Sequence, residues 1–320
     1  MQQVELISLE DLVPARHSYR KFKAIWSFKY INKRLKKLEK DNPYKGYGLE
    51  RLFKCLLLQF MEDHSDRELE KFLQENVAAK WFCEFSLAEK TPDFSVFSKF
   101  RKRLGTKFLS KVFASLRDQL KSQGFMNEVF NFIDASHLIS KADLWKERDE
   151  SIRLRYEKLN NETLPKVARD KEARIGCKGK NKYWYGYKKH ASVDMQSGLI
   201  NKIAITPANV TDSKGMKHVC PGQGAIYADK GYCDRHAKKS AARRGCHLRA
   251  VKKNNMHGKN KEFDRWISHI RSPYERVFSK HSKRVRYCGV AKNQFAVFMQ
   301  AICFNLKRLV VLDPPNLCLD

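Results

Sequence analysis

VFNFIDASHLI, residues 129–139, is dense in β-branched and aromatic side chains and carries one carboxylate, Asp134, at its centre. Such a composition predicts a core strand, and an ionised Asp within one is costly unless it is paired, hydrogen-bonded or bound to a metal. A lone example would read as a capping or salt-bridged Asp at a strand end. The pattern recurs in GAIYADKGY, residues 224–232, where Ala225, Ile226, Tyr227 and Ala228 lead into Asp229 and Gly231 follows. Two apolar strands that each present an Asp point to one shared site.

Between these strands, YWYGYKKHASVD (183–194) and LINKIAIT (199–206) flank the turn residues Gln196, Ser197 and Gly198, which predicts an antiparallel hairpin. Thr211 and Asp212 read as the start of a short helix, and Asp194 as a residue of the hairpin turn. Beyond Asp229, residues 231–245 read as a basic helix, 246–251 as a strand and 263–312 as mostly helical. Strand, hairpin, helix, strand, helix, strand is the ribonuclease H-like α/β pattern with a mixed five-stranded sheet. In it the first and fourth strands are neighbours, so Asp134 and Asp229 would converge. A third acid able to complete a metal site is expected from the helices after the fifth strand, and Glu275 in RSPYERVF (271–278) is the candidate.

Working back towards the start, Leu49, Leu52, Phe53, Leu56, Leu57 and Phe60 mark a strongly amphipathic helix. A basic helix over residues 18–40 precedes it, and Ser65 with Glu68 has the spacing of a capping box that opens another. TPDFSVFSKFRKRLG (91–105) predicts a short helix ended by Gly105 and bearing Lys99, Arg101, Lys102 and Arg103. Helices leading to a short basic helix resemble helix-turn-helix architecture, in which that helix lies in the major groove. The expected organisation is an all-helical domain over 1–125, an α/β domain over 126–312 and a tail over 313–320. Residues 140–182 form a polar insertion, read as partly helical around 144–159.

Sixty-four Lys and Arg against 35 Asp and Glu give a net charge of +29, far beyond what solubility needs and simplest to explain by a polyanionic partner. The basic residues interleave with aromatics, as in KGKNKYWYGYKK (178–189), which indicates a structured nucleic-acid surface. Nine scattered Cys without a CxxC pair support neither a disulfide framework nor a zinc site. No apolar run is expected to span a membrane, and MQQVELISLEDLVP at the start has neither a basic nor an apolar leader region. The expected location is a bacterial cytoplasm, with the nucleoid.

Several pieces then occur in a family's order. LLLQFMEDHSDRELEKFLQENVAAKWF and TPDFSVFSKFRKRLG resemble an amino-terminal transposase domain. FIDASHL, YWYGYKKHASVDMQSGLI, TPANVTDS, YADKGY, YERVF and RVRYCGVAKN resemble a catalytic core. The set resembles the DDE transposases of bacterial insertion sequences, specifically the "IS five" group. That resemblance implies a catalytic triad of Asp134, Asp229 and Glu275 holding two Mg²⁺ ions, for which Mn²⁺ substitutes. It also implies nicking of the transposon end and transfer of the freed 3′-OH into target DNA. Arg271 matches the Arg of the related Y-R-E-K signature; its Tyr would fall at Ser268, and its Lys at Ser282, one step before Lys283. Arg271 and Lys283 are therefore expected at DNA, as are Lys188, Lys189 and His190 on the strand beside Asp134. Terminal inverted repeats and target DNA are the expected partners, with a homodimer or higher form on DNA. A ribonuclease H-like endonuclease or resolvase and a non-catalytic transposase-derived DNA-binding protein are the alternatives.

Overall fold

The computed structural model describes residues 7–41, 43–140, 160–179, 182–279, 283–312 and 319. They form two compact units, one of residues 1–120 and 302–320 and one of residues 121–301.

The helical unit is built round Leu49–Met61, in which every residue except Glu50 and Arg51 is buried. A helix apolar on all sides must be surrounded, and Phe22, Ile31, Leu69, Leu73, Phe82 and Phe97 share its core. Lys54 is taken into that core with its single charge answered by two carboxylates, Glu50 and Glu84, at 2.8 Å each. The expected capping box forms: Glu68 N–H donates to Ser65 Oγ at 3.2 Å, and Ser65 N–H donates to Glu68 Oε2 at 2.6 Å. The basic helix expected over 18–40 is instead two, Ser18–Ile25 and Lys29–Asp41. Between them Trp26 and Phe28 stack 4.7 Å apart, and Ser27 N–H donates to Leu319 O at 2.8 Å. Burying both rings there requires the chain to leave the helix, which Phe28 does at φ 61°.

Gly105, at φ 67°, separates two helical stretches within Phe94–Ser122, where the sequence ends its short basic helix. The long terminal helix Val290–Leu312 is long and apolar enough to cross a membrane, which corrects the expectation that no run is. More than half of that apolar stretch is buried within the protein, and Phe295, Met299, Ile302 and Leu306 are among its buried residues.

The α/β unit contains a six-stranded mixed sheet: β1 (Phe130–Ile139), β2 (Arg174–Lys178), β3 (Lys182–Asp194), β4 (Ile200–Pro207), β5 (Ala225–Ala228) and β6 (His247–Ala250). Strand order is β2-β3-β1-β5-β6, with β4 also on β3. The five strands of the ribonuclease H-like pattern are all present, and β5 runs parallel to both β1 and β6. The additional strand, β2, comes from the polar insertion. Its sequence RIGCK has little apolar pattern, and it pairs with residues 182–186 of β3 ahead of the stretch that pairs with β4. The helix expected at 144–159 lies outside the described residues.

Candidate active site

β1 and β5 are in register from Phe130 opposite Ala225 to Ile133 opposite Ala228. Asp134 and Asp229 are each the next residue, so they stand side by side on adjacent parallel strands, Asp134 midway along β1 and Asp229 at the carboxyl end of β5, the end at which open α/β sheets place their chemistry. Each carboxylate accepts a hydrogen bond from the backbone N–H that follows it, Ala135 at 2.8 Å and Lys230 at 2.7 Å. β5 ends here because the chain turns at once into a 3₁₀ turn, Lys230–Tyr232, with Asp229 as its cap, while β1 runs on against β3 to Ile139.

Glu275 arrives from the far side of the chain, on a 3₁₀ turn at Ser272–Glu275 that follows the helix Lys261–Arg271. Arg271 links it to the second Asp, its guanidinium lying 3.7 Å from Asp229 Oδ1 and 3.7 Å from Glu275 Oε1. The same guanidinium lies over the Phe132 ring at 5.4 Å, and Arg271 as a residue is only 5% exposed. All three acids and Arg271 line one cavity of about 540 Å³.

A fourth carboxylate shares that cavity. Asp212 opens the helix Asp212–Val219, which Thr211 caps, and also pairs with Lys188 Nζ at 2.8 Å. The helix reaches β3 because residue 215 is Gly: a Cβ there would stand 2.1 Å from the His190 ring. Sequence reasoning placed Asp212 only at the helix start; the signal for more lay within TPANVTDS. Tyr232 is a second residue it missed. The phenol is fully buried, and burial together with Asp134, Asp212 and Asp229 drives its pKa up.

Burial pushes the half-buried Asp134 up to about 6, against the Ala135 N–H and Arg271, which lower it, and with the neighbouring Asp229 and Asp212 adding to the rise. Among the described residues no three His, Cys, Asp or Glu side chains already meet at ion-coordinating spacing; Arg271 spans Asp229 and Glu275. The donor set nevertheless fits a hard divalent cation. It is all oxygen, mostly carboxylate, and Asp134 is short of positive charge although the chain carries +29 overall.

The other expected DNA contacts divide. Lys283 is exposed at the cavity edge, held where the chain pairs with the end of β1: Ile139 N–H donates to Lys283 O at 2.7 Å. Lys188 also lines the cavity. Lys189 and His190 are buried, at 2% and 0% exposure. Burial lowers Lys189 to about 8 and His190 to about 4. The Lys189 amine lies over the Phe278 ring at 5.6 Å, and His190 Nε2 is 2.9 Å from Thr206 Oγ1. In the helical unit Lys99 and Lys102 are exposed. Arg101 is instead bound to both oxygens of Asp66, at 2.7 and 2.5 Å, and Arg103 lies over Tyr44 at 5.4 Å. His137, opposite Lys188 on the β1–β3 pair, packs on Trp184 at 5.5 Å. Asp194 serves its turn, accepting from the N–H and Oγ of Ser197.

Two family models match the chain in tandem: a transposase domain over residues 7–103 and a transposase DDE domain over residues 151–306. The second contains Asp229, Arg271 and Glu275, and Asp134 falls between the two matched spans. With an amino-terminal transposase domain, a transposase DDE domain and acids side by side on β1 and just after β5, this chain belongs to the DDE transposases.

Proposed function

We propose that the chain is the transposase of an "IS five"-type insertion sequence. In this reading residues 1–125 recognise the element's terminal inverted repeats, and residues 126–312 cut those ends and join them to target DNA. The observation that carries it is that Asp134 and Asp229 stand side by side on neighbouring parallel strands, with Glu275 tied to Asp229 through Arg271 and all four lining one cavity.

DDE transposases generally use divalent metal ions, and Asp134, Asp229 and Glu275 are the residues that would hold Mg²⁺ or Mn²⁺ here. Once bound, such ions supply nucleophile activation and stabilise the leaving oxygen of a phosphodiester. The chain's own groups do the rest. Lys188 gives one of its three donors to Asp212, leaving donors for a phosphate oxygen. Lys283 adds a second cation at the cavity edge. Arg271 keeps Asp229 and Glu275 from repelling each other before the ions arrive. The chemistry needs no protein nucleophile, since water and then a DNA 3′-OH fill that role. Bringing two transposon ends together calls for at least a homodimer on DNA, acting at the bacterial nucleoid.

The test uses the full chain with a duplex that carries the element's end and a target plasmid. Expected are Mg²⁺-dependent nicking and joining of the freed 3′-OH to the plasmid, both lost in Asp134→Ala and in Asp229→Asn. Nicking that never proceeds to joining would assign a resolvase or endonuclease instead. DNA binding with no nicking in any divalent metal would leave only a DNA-binding protein.

A further inference from the structure

From Phe130 at the amino end of β1 across Tyr227 to the helix Lys261–Arg271, the α/β unit carries an aromatic strip that the active site does not use. Phe130 is 52% exposed, Trp266 48% and Phe263 38%. The rings continue from one to the next: Phe130 to Tyr227 at 6.3 Å, Tyr227 to Trp266 at 5.7 Å, and Trp266 stacked on Phe263 at 5.7 Å with their planes 20° apart. Phe130, Tyr227 and Trp266 border a cavity of about 710 Å³ whose polar wall includes Asn127, Gln196 and His269. A contiguous exposed apolar patch marks an interaction site, and the charge around this one selects the partner.

Arg249 is the register partner of Tyr227 across the β5–β6 pair, so both side chains leave the same face of the sheet. Arg249 is exposed, as are Lys261, Arg265 and His269 on the helix that bears Phe263 and Trp266. Against them that helix sets one exposed carboxylate, Glu262, because Asp264 is buried and accepts from Lys252 N–H at 3.0 Å. A second copy of this chain would bring a further +29 charge to a basic surface. A polyanion with flat apolar faces answers both features, and unpaired nucleotides have them. In a duplex the base faces are already stacked.

We propose that this strip binds single-stranded DNA, with bases stacking on Phe130, Trp266 and Phe263 and phosphates meeting Arg249 and Arg265. It shares with the proposed function the premise of a DNA partner, and it is independent of the chemistry at Asp134.

Fluorescence anisotropy with the full chain tests it, comparing an oligo-dT probe of about 12 nucleotides with a duplex of similar length. Phe130→Ala with Trp266→Ala should weaken single-strand binding by about tenfold or more and leave duplex binding within about twofold. Phe130→Tyr with Trp266→Phe, which keeps two aromatic faces, should restore most of the loss. Single-strand affinity unchanged in the Ala pair overturns the proposal. So does a dimer that the Ala pair dissociates in sedimentation without altering oligo-dT affinity, which would make the strip a self-association face. Photo-crosslinking of the wild-type chain to a 5-iodouracil oligonucleotide gives a readout free of any folding defect. Adducts are expected on peptides bearing Phe130 or Trp266, and adducts confined to other peptides refute the site. Aromatic-dependent oligo-dT binding by a chain that never nicks a transposon end would sink the proposed function and leave this site standing.

Discussion

An ionised Asp134 works against the fold that holds it. Burial and the neighbouring acids raise its pKa from 3.8 to about 6, so the folded chain keeps a proton there that the unfolded chain has released. The stabilisation from that proton is complete below about pH 4 and is lost as pH rises through 6, where the native carboxyl ionises too. At neutral pH the penalty is up to about 3 kcal/mol. Asp134→Asn removes the charge and keeps the shape, so at pH 7 it should raise the melting temperature by several degrees, and the gain should vanish near pH 4. Mg²⁺ should stabilise the wild type at pH 7 and do so much less for Asp134→Asn. Thermal melts of both chains at the two pH values, with and without Mg²⁺, check the sign; a variant that melts lower at pH 7 refutes the argument. The juxtaposition of Asp134 and Asp229 was legible in the sequence because an acid after an apolar run is a local pattern that adjacent parallel strands make spatial. Asp212 was not, since an acid at a helix start reads the same whether or not a Lys188 waits across the gap.

The same limit appears among whole elements. The five-stranded pattern could be read from apolar runs and turn residues, but β2 could not, because RIGCK owes its strand to pairing with residues 182–186 rather than to its own periodicity. The burial of Lys189 and His190 was equally hidden. They lie in a basic stretch that reads as surface, yet β3 is a central strand with neighbours on both edges, and the helix Asp212–Val219 packs against His190 through Gly215. That packing is testable, because two effects of Gly215→Ala oppose each other. Helix propensity favours Ala over Gly by about 1 kcal/mol. A Cβ 2.1 Å from the His190 ring forces the helix or the ring to move, and such overpacking costs about 1–3 kcal/mol. The geometry says the clash wins: Gly215→Ala should lower the melting temperature, and adding His190→Ala should recover part of the Gly215→Ala loss in a double-mutant cycle. A stabilised Gly215→Ala would mean that the helix does not approach β3 as described.

For the molecule as a whole, a charge of +29 predicts a salt-dependent affinity for the proposed DNA partner, and the structure separates exposed cations from committed ones. Each phosphate neutralised by a Lys or Arg releases condensed counterions, so log K falls with log salt at a slope of about −0.9 per contact on a duplex. A charge already committed inside the protein contributes little to that slope. In KFRKR (99–103) Lys99 and Lys102 are exposed, whereas Arg101 holds Asp66 at 2.5 Å with its side chain 11% exposed. Lys99→Ala with Lys102→Ala should therefore reduce the slope for terminal-repeat DNA by about 2, and weaken binding at low salt more than at high salt. Arg101→Ala should leave the slope unchanged and lower the melting temperature instead, because it strips Asp66 of its bidentate partner. Filter binding across a salt series, paired with melts of the same three proteins, separates these outcomes. If Arg101→Ala flattens the slope while the Lys pair does not, the helical unit meets DNA through a different face from the one that exposes Lys99 and Lys102.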